Sequence, residues 1–286
     1  MKLDKKRTLR IINAALKEDI GIGDVTTLGL IPKTESIKAS IVANEDCIMC
    51  GMNIAEWVIN ILDFSVRFKP QVEDGQRVYK GKEVAFLEGH ARAILTAERT
   101  MLNFVSFLSA IATRTKSFVE KAEKYEVKIY DTRKTIPLFR YLTKYAVWTG
   151  GGTNHRFGLW DQALIKDNHI RITKALGQKE IVKDLKNRLT KNIKLEVEVE
   201  TLDEFKVVLH ENPDIIMLDN MSPNLCQEAV KILKGLKLKK KPALEVSGGI
   251  TLDTIEGYAK TGIDRISVGS LTDSIESVDM SLEIIS

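Results

Sequence analysis

Four cations and a histidine crowd one short stretch of the chain: Arg133, Lys134, His155, Arg156 and Lys166 fall within 34 residues, around the segment KYAVWTGGGTNHR. An arginine fork donates two N–H groups to a carboxylate or phosphate, and a lysine acts as a compact charge. Four such charges converging in a low-dielectric pocket repel one another unless the ligand is itself polyanionic. The plainer alternative is a set of surface salt bridges, since Asp161 and Asp167 lie close in sequence. His155 and His169, taken singly, serve as readily for structural hydrogen bonds as for ligand contacts.

The acids supply a complementary chemistry. In LEVEVE, Glu196, Glu198 and Glu200 are spaced by two and share one face of a strand, which belongs to an interior or a mouth rather than to an apolar exterior. With Asp219 they can hold Mg²⁺ through oxygen, bind sugar hydroxyls, stabilise a developing cation, or pair structurally with the lysines. Gly248, Gly249 and Gly269 let backbone N–H groups approach a phosphate at the start of a helix. A phosphorylated sugar and an anionic second substrate are the simplest pair that uses all three elements. A Schiff-base lysine, Lys134 or Lys166, stays open. The chain has no GxxxxGK[ST], and no GxGxxG follows a strand, which argues against a P-loop nucleotidase and a Rossmann dehydrogenase.

These residues need a scaffold that gathers them. From Val127 onward six short runs, VKIYDTRK, ALIKDNH, IKLEVEVE, DIIMLDN, ALEVSGG and DRISVGS, alternate with amphipathic segments at 173–190, 201–211, 223–236 and 251–261. The alternation predicts βα units and a parallel sheet closed, or nearly closed, as a barrel-like variant with fewer than eight strands. Each run ends in a polar or glycine cluster, and such folds deliver their chemistry from the carboxyl ends of strands. Before Val127 the patterns predict helices at Lys5–Lys17, Met52–Leu62 and from about Leu95 to Val119. Strands are expected at Ser36–Asn44, Ser65–Gln71 and Glu83–Glu88, and Asp24 is a candidate helix cap.

The 286 residues suffice for about two domains and a large core. Apolar residues at 44% and charged residues at 29% exclude a disordered chain, a collagen-like chain and a membrane bundle. A net charge of +4, from 43 basic and 39 acidic groups, leaves no broad positive face for nucleic acid. No run of about 18 apolar residues occurs, and the amino-terminal stretch lacks the apolar core of a signal peptide. Three sparse cysteines suit a cytoplasmic setting, and Cys47 and Cys50 form a lone CxxC that is better read as buried packing than as a metal or redox site.

The motifs EDIGIGDVTT, AERTMLNF, DTRKT, KYAV, GGGTNHR, LIKDNH, EVEVE, LDNM, SGGI and ISVGSLT occur in that order between about residue 10 and residue 284. Together they resemble quinolinate phosphoribosyltransferases, the carboxylating nicotinate-nucleotide pyrophosphorylases. The resemblance implies an α/β fold with an N-terminal α/β sandwich domain over residues 1–110, against which a C-terminal helix at about 274–286 packs back. It further implies an open (β/α) barrel-like catalytic domain over 111–286. The implied reaction joins quinolinate to 5-phosphoribosyl-1-pyrophosphate (PRPP) with Mg²⁺, giving nicotinate mononucleotide, pyrophosphate and CO₂. Implied partners are further copies of the chain, as a homodimer or a hexamer (a trimer of dimers) with shared sites. Neither nucleic acid nor membrane is implied.

Carried over by motif, Arg99 of one subunit reaches its partner's site and joins Thr132, Arg133, His155, Arg156 and Lys166 around quinolinate. Lys134, Lys166, Glu198 and Asp219 face PRPP, with Lys134, Glu198 and Asp219 catalytic and Glu198 and Asp219 near the metal. Ser247, Gly248, Gly249, Val268, Gly269 and Ser270 form the phosphate turns. The chain departs from the family pattern at Leu138, Trp148 and Asp273, where glycine, arginine and histidine are usual.

Overall fold

A computed structural model of the chain describes residues 1–173 and 177–285. In chain order the elements are α1 (Lys5–Ile20), α2 (Val25–Leu30), β1 (Ser36–Ala43), β2 (Cys47–Ile48), α3 (Met52–Leu62), β3 (Arg67–Pro70), β4 (Arg77–Val78), β5 (Glu83–His90) and α4 (Ala91–Ala122). They continue with β6 (Lys128–Tyr130), α5 (Arg140–Thr149), β7 (Ala163–Ile165), α6 (Asp167–Ile172), α7 (Gln178–Arg188), β8 (Leu195–Val199), α8 (Leu202–Leu209) and β9 (Ile215–Asp219). The last are α9 (Pro223–Gly235), β10 (Ala243–Ser247), α10 (Ile255–Ala259), β11 (Arg265–Ser267) and β12 (Met280–Ile285). The helix expected at 173–190 is thus α7, and residues 174–176 of that expectation lie outside the described residues. Among the described residues no helix is long and apolar enough to cross a membrane.

The chain forms two compact units. The first takes Met1–Lys116, Ile136–Gly151 and the residues from Ser274 onward; the second takes Ser117–Thr135 and Gly152–Asp273. In the first, an antiparallel sheet runs β12-β1-β5-β3. Ala39, Ile41 and Ala43 of β1 alternate into the core, as a half-buried strand requires. The carboxyl-terminal segment corrects an expectation: residues 280–285 are a strand, not part of a helix, and pair antiparallel with β1 from Ala43↔Met280 to Lys38↔Ile285. Its sequence MSLEII places Met280, Leu282 and Ile284 at a period of two, and an unpaired edge of β1 offers backbone partners that an isolated short helix lacks.

Local chemistry fixes the entry to α4. Asp24 caps α2 by accepting the Thr27 N–H at 2.9 Å, and it also accepts the Thr96 hydroxyl of α4 at 3.1 Å. One turn further along, Asp19 accepts the Thr100 hydroxyl at 3.1 Å. The EDIGIGDVTT segment is thereby tied to the helical turns that carry Arg99. Cys47 and Cys50 are buried free thiols, with Ser109 Oγ accepting the Cys50 N–H at 2.9 Å.

The second unit holds an open parallel sheet in the order β6-β11-β10-β9-β8-β7. All six expected strands form, and β6 and β7 are its edges, so the sheet is open rather than closed. Alternation sorts the strand residues into two faces. Leu195, Val197, Val199, Ile216, Leu218, Leu244, Val246 and Ile266 join the apolar core that also takes in Phe205, Val208, Ala229 and Ile255 of the helices. The opposite face presents Glu196, Glu198, Met217, Asp219, Glu245, Ser247, Arg265 and Ser267.

Replacing Asp24 with Ala removes a helix cap and an interhelix bond together, and should lower stability by about 1–2 kcal/mol. Thermal or denaturant unfolding of D24A against wild type measures this, with D24N, which keeps a capping oxygen, falling between them.

Candidate functional site

Because the six strands are parallel, their carboxyl ends lie along one edge. Thr132, Arg133 and Lys134 follow β6, and Lys166 follows β7 as the N-cap residue of α6. Glu198 stands near the end of β8, Asp219 ends β9, Ser247–Gly249 follow β10, and Val268–Ser270 follow β11. All these sequence-derived candidates, with His155 and Arg156, fall in the second unit; Arg99 lies in the first, exposed on α4.

Specific contacts order this edge. Lys166 Nζ donates to Glu198 Oε2 at 3.0 Å, and Glu198 is almost fully buried. The Lys166 N–H donates to His169 Nδ1 at 2.9 Å, which gives His169 a capping role. Thr132 Oγ1 accepts the Lys134 N–H at 3.1 Å, and Thr272 Oγ1 donates to the Lys134 carbonyl at 2.6 Å, so two elements brace the lysine's backbone. A Cβ on Gly269 would lie 3.6 Å from Lys134 Nζ and 3.1 Å from Asp273 Oδ2. The departing carboxylate of Asp273 therefore stands beside that turn in the company of a cation. Leu138 takes φ 65°, a left-handed conformation in which glycine is unstrained, and Trp148 stacks on Tyr145 with centroids 6.3 Å apart.

Charge at the edge is finely set. Burial first, and the neighbouring charge of Arg133 second, lower the proton affinity of Arg156, whose Nη1 donates to the Gln162 carbonyl at 3.0 Å. Burial raises the pKa of Asp219, Glu200 adds to that rise, and Lys166, Asn220 and Lys134 oppose it. Glu198 and Asp219 offer oxygen donors only, the set preferred by a hard cation such as Mg²⁺.

Beneath the edge lies a network that motif reading missed. His155 Nε2 is 3.2 Å from both Glu196 Oε2 and Glu245 Oε1. Gln162 Nε2 donates to Glu196, Ser267 Oγ donates to Glu245, and Arg265 Nε meets Glu245 Oε2 at 2.6 Å. The His155 N–H donates to Asp131 at 2.7 Å, while its Nδ1 accepts the Arg156 N–H at 2.7 Å. This trio of His155, Glu196 and Glu245 has the separations of a metal site, with ligand atoms within 4.8 Å of one another. Gln162 engages Glu196 Oε2, and Ser267 and Arg265 engage the two oxygens of Glu245, while Glu196 Oε1 is buried with no hydrogen-bond partner among the described residues; through His155 the network supports Arg156 from below. Glu200, the third acid of LEVEVE, lies past the strand and is exposed.

Fold and edge together are those of the α/β enzyme class, in which polar residues gather at the carboxyl ends of parallel strands. The pattern described as Quinolinate phosphoribosyl transferase, C-terminal domain, matches residues 111–283, and that of the family's N-terminal domain matches residues 24–109. A Methanocaldococcus jannaschii protein named probable nicotinate-nucleotide pyrophosphorylase (carboxylating) is 45% identical, with 98% of each chain covered. A Bacillus subtilis protein of the same name is 38% identical over 96% of this chain and 92% of its own. The solved nicotinate-nucleotide pyrophosphorylase of Francisella tularensis matches with a TM-score of 0.92 at 42% identity, covering 99% of this chain and 98% of that one. The chain belongs to the quinolinate phosphoribosyl transferase family.

Burial pulls the His155 pKa down, but bonds to Glu196 and Glu245 and their charges outweigh it and raise the ring from 6.5 to about 9. The Arg156 N–H directed at Nδ1 opposes that rise, because it is accepted only by a ring whose proton sits on Nε2. Burial and the charge of Glu245 shift the Glu196 carboxyl upward as well.

Proposed function

We propose that this chain transfers the phosphoribosyl group of PRPP to quinolinate and decarboxylates the product, releasing pyrophosphate and CO₂ and forming nicotinate mononucleotide for NAD biosynthesis. The observation that carries this reading is the convergence, on one edge of one parallel sheet, of an anion pocket, two carboxylates and two glycine turns. Quinolinate is a dicarboxylate, PRPP a phosphorylated sugar bearing pyrophosphate, and the edge has a matching element for each.

On this reading Arg133 and Arg156 hold the pyridine carboxylates with their forked N–H groups, aided by Thr132, and His155, its ring nitrogens turned to the acids and to the Arg156 N–H, completes that pocket by holding Arg156 in place. Lys166 stands between the halves, its ammonium shared between the dicarboxylate and Glu198. Ser247–Gly249 and Val268–Ser270 receive phosphate oxygens on backbone N–H groups. Lys134 neutralises the departing pyrophosphate. Glu198 and Asp219 lie along the ribose, where their charge favours the oxocarbenium character that grows at C1 as the C–O bond breaks. Both carboxylates would hold Mg²⁺, which when bound supplies further positive charge to the pyrophosphate.

The pyridine nitrogen then forms the new bond to C1, and the pyrophosphate leaves with the electron pair of the broken one. The ring nitrogen is now cationic, so the pair left at C2 when its carboxylate departs as CO₂ is held beside a positive charge. A proton from water completes the product. The protein's share is positioning and neutralisation rather than covalent chemistry.

The site is shared on this reading, in a homodimer or a hexamer built from dimers, with Arg99 supplied by the partner subunit to a quinolinate carboxylate. Two features support it. Arg99 is exposed, and Ile22, Val25, Leu28 and Leu30, in the segment bonded to its helix, leave large apolar side chains in the open.

Carboxyl-labelled quinolinate should release CO₂ only when PRPP is present, and no release under any Mg²⁺ concentration would refute the reading. R133A should lose about 3–5 kcal/mol in kcat/KM for quinolinate if it meets a desolvated carboxylate. Mixing inactive R99A with inactive K134A, after dissociation and reassociation, should restore part of the activity if sites are shared, and none if each chain carries its own.

A further inference from the structure

Asn220, between Asp219 and Met221, has no role in the chemistry above, yet it touches both halves of the phosphoribosyl edge. Its φ of 54° is left-handed, a conformation that costs most L residues about 1–2 kcal/mol and that asparagine tolerates best among side-chain-bearing residues. That turn aims its backbone N–H at the neighbouring strand, where it donates to the Ser247 carbonyl at 2.8 Å. The side chain has two faces in use. Nδ2 donates to Asp219 Oδ2 at 2.7 Å. The other end lies over Gly248, where an added Cβ would sit 2.1 Å from Oδ1 and 2.6 Å from Cγ of Asn220. Gly248 itself has φ +100°, so that position is glycine both for its backbone and for this contact. Asp219 and Ser247 are register partners across β9 and β10, and Asn220 braces the ends of both strands just past the last rung.

We propose that Asn220 is a positioning residue for PRPP, holding the Asp219 carboxylate in one orientation while setting the height of the Ser247–Gly249 turn. The inference rests on the reading that Asp219 and that turn face PRPP. The chemistry is particular to the amide. Aspartate at 220 would set a second carboxylate beside one whose charged form burial and Glu200 already disfavour, and would lose the donor. Glycine would keep the backbone turn and lose both contacts. Alanine would lose them and strain the turn as well.

The test uses the full-length protein as wild type, N220G and N220D, with circular dichroism and thermal unfolding to show that each variant folds. Calorimetry with PRPP plus Mg²⁺, and separately with quinolinate, is read alongside steady-state kinetics. N220G should weaken PRPP binding and raise its KM by about tenfold, ~1.4 kcal/mol, with a larger loss in N220D. The KM for quinolinate should stay within about twofold, ~0.4 kcal/mol. G248A should also weaken PRPP binding, and in N220G/G248A the two losses should sum to less than their separate values, because the Cβ no longer meets the amide. N220G that binds PRPP as wild type does, or that loses both substrates equally, overturns the inference alone. Wild type that neither binds PRPP nor releases CO₂ overturns the functional reading, and the inference with it.

Discussion

Two carboxylates buried on the inner face of one sheet must be compensated, and the second unit is organised around that compensation. Glu196 and Glu245 come from β8 and β10, and four side chains converge on them from two other places in the chain, His155 and Gln162 from the segment before β7 and Arg265 and Ser267 from β11. An uncompensated buried charge costs several kcal/mol, so these partners are obligatory once the acids are inside. Arg265 is in turn laid over the Tyr130 ring, 4.0 Å from its centroid, which ties β11 to β6 through a side chain as well as through the ladder. The Arg156 backbone hangs from His155. The Arg156 end of the cation cluster is therefore built on the acid cluster below it: remove the acids and His155 loses the partners that fix the ring on which the Arg156 backbone rests.

Much of the frame was legible because it depends on local pattern. Each of the six short apolar runs carried its own period and its own polar terminus, so strands β6 to β11 and the edge they share could be expected without knowing which strand neighbours which. Met52–Leu62 was bounded by its own periodicity. The capping role of Asp24 could be read from the residues beside it.

What stayed hidden depends on pairing. Nothing near Glu196 in sequence names Glu245 as its neighbour, since that relation is set by the order of β8, β9 and β10 in the sheet. Asn220 sat within a quoted motif, LDNM, but its value lies in contact with Gly248, which only register supplies. Residues 280–285 alternate as a strand does, yet their partner β1 is some 240 residues earlier, too far for any local signal. Arg99 is a different case: its place in the proposed chemistry came from family likeness, because a lone exposed arginine on a helix carries no physical mark of its task.

The pairing of β12 with β1 has a consequence for how the protein comes into being. During synthesis the first unit's strands emerge early, but the edge of β1 that faces β12 has no partner until residues 280–285 leave the ribosome. The second unit's residues are all translated before then. For most of translation the nascent chain thus displays an open strand edge, the feature by which partly made chains adhere to one another. A long-range closure of this kind is slow to find by diffusion. A segment far along the chain thus seals a sheet begun near its start, and a message truncated shortly before Met280 would release a chain with the parallel sheet of its second unit formed and the sheet of its first unit unsealed.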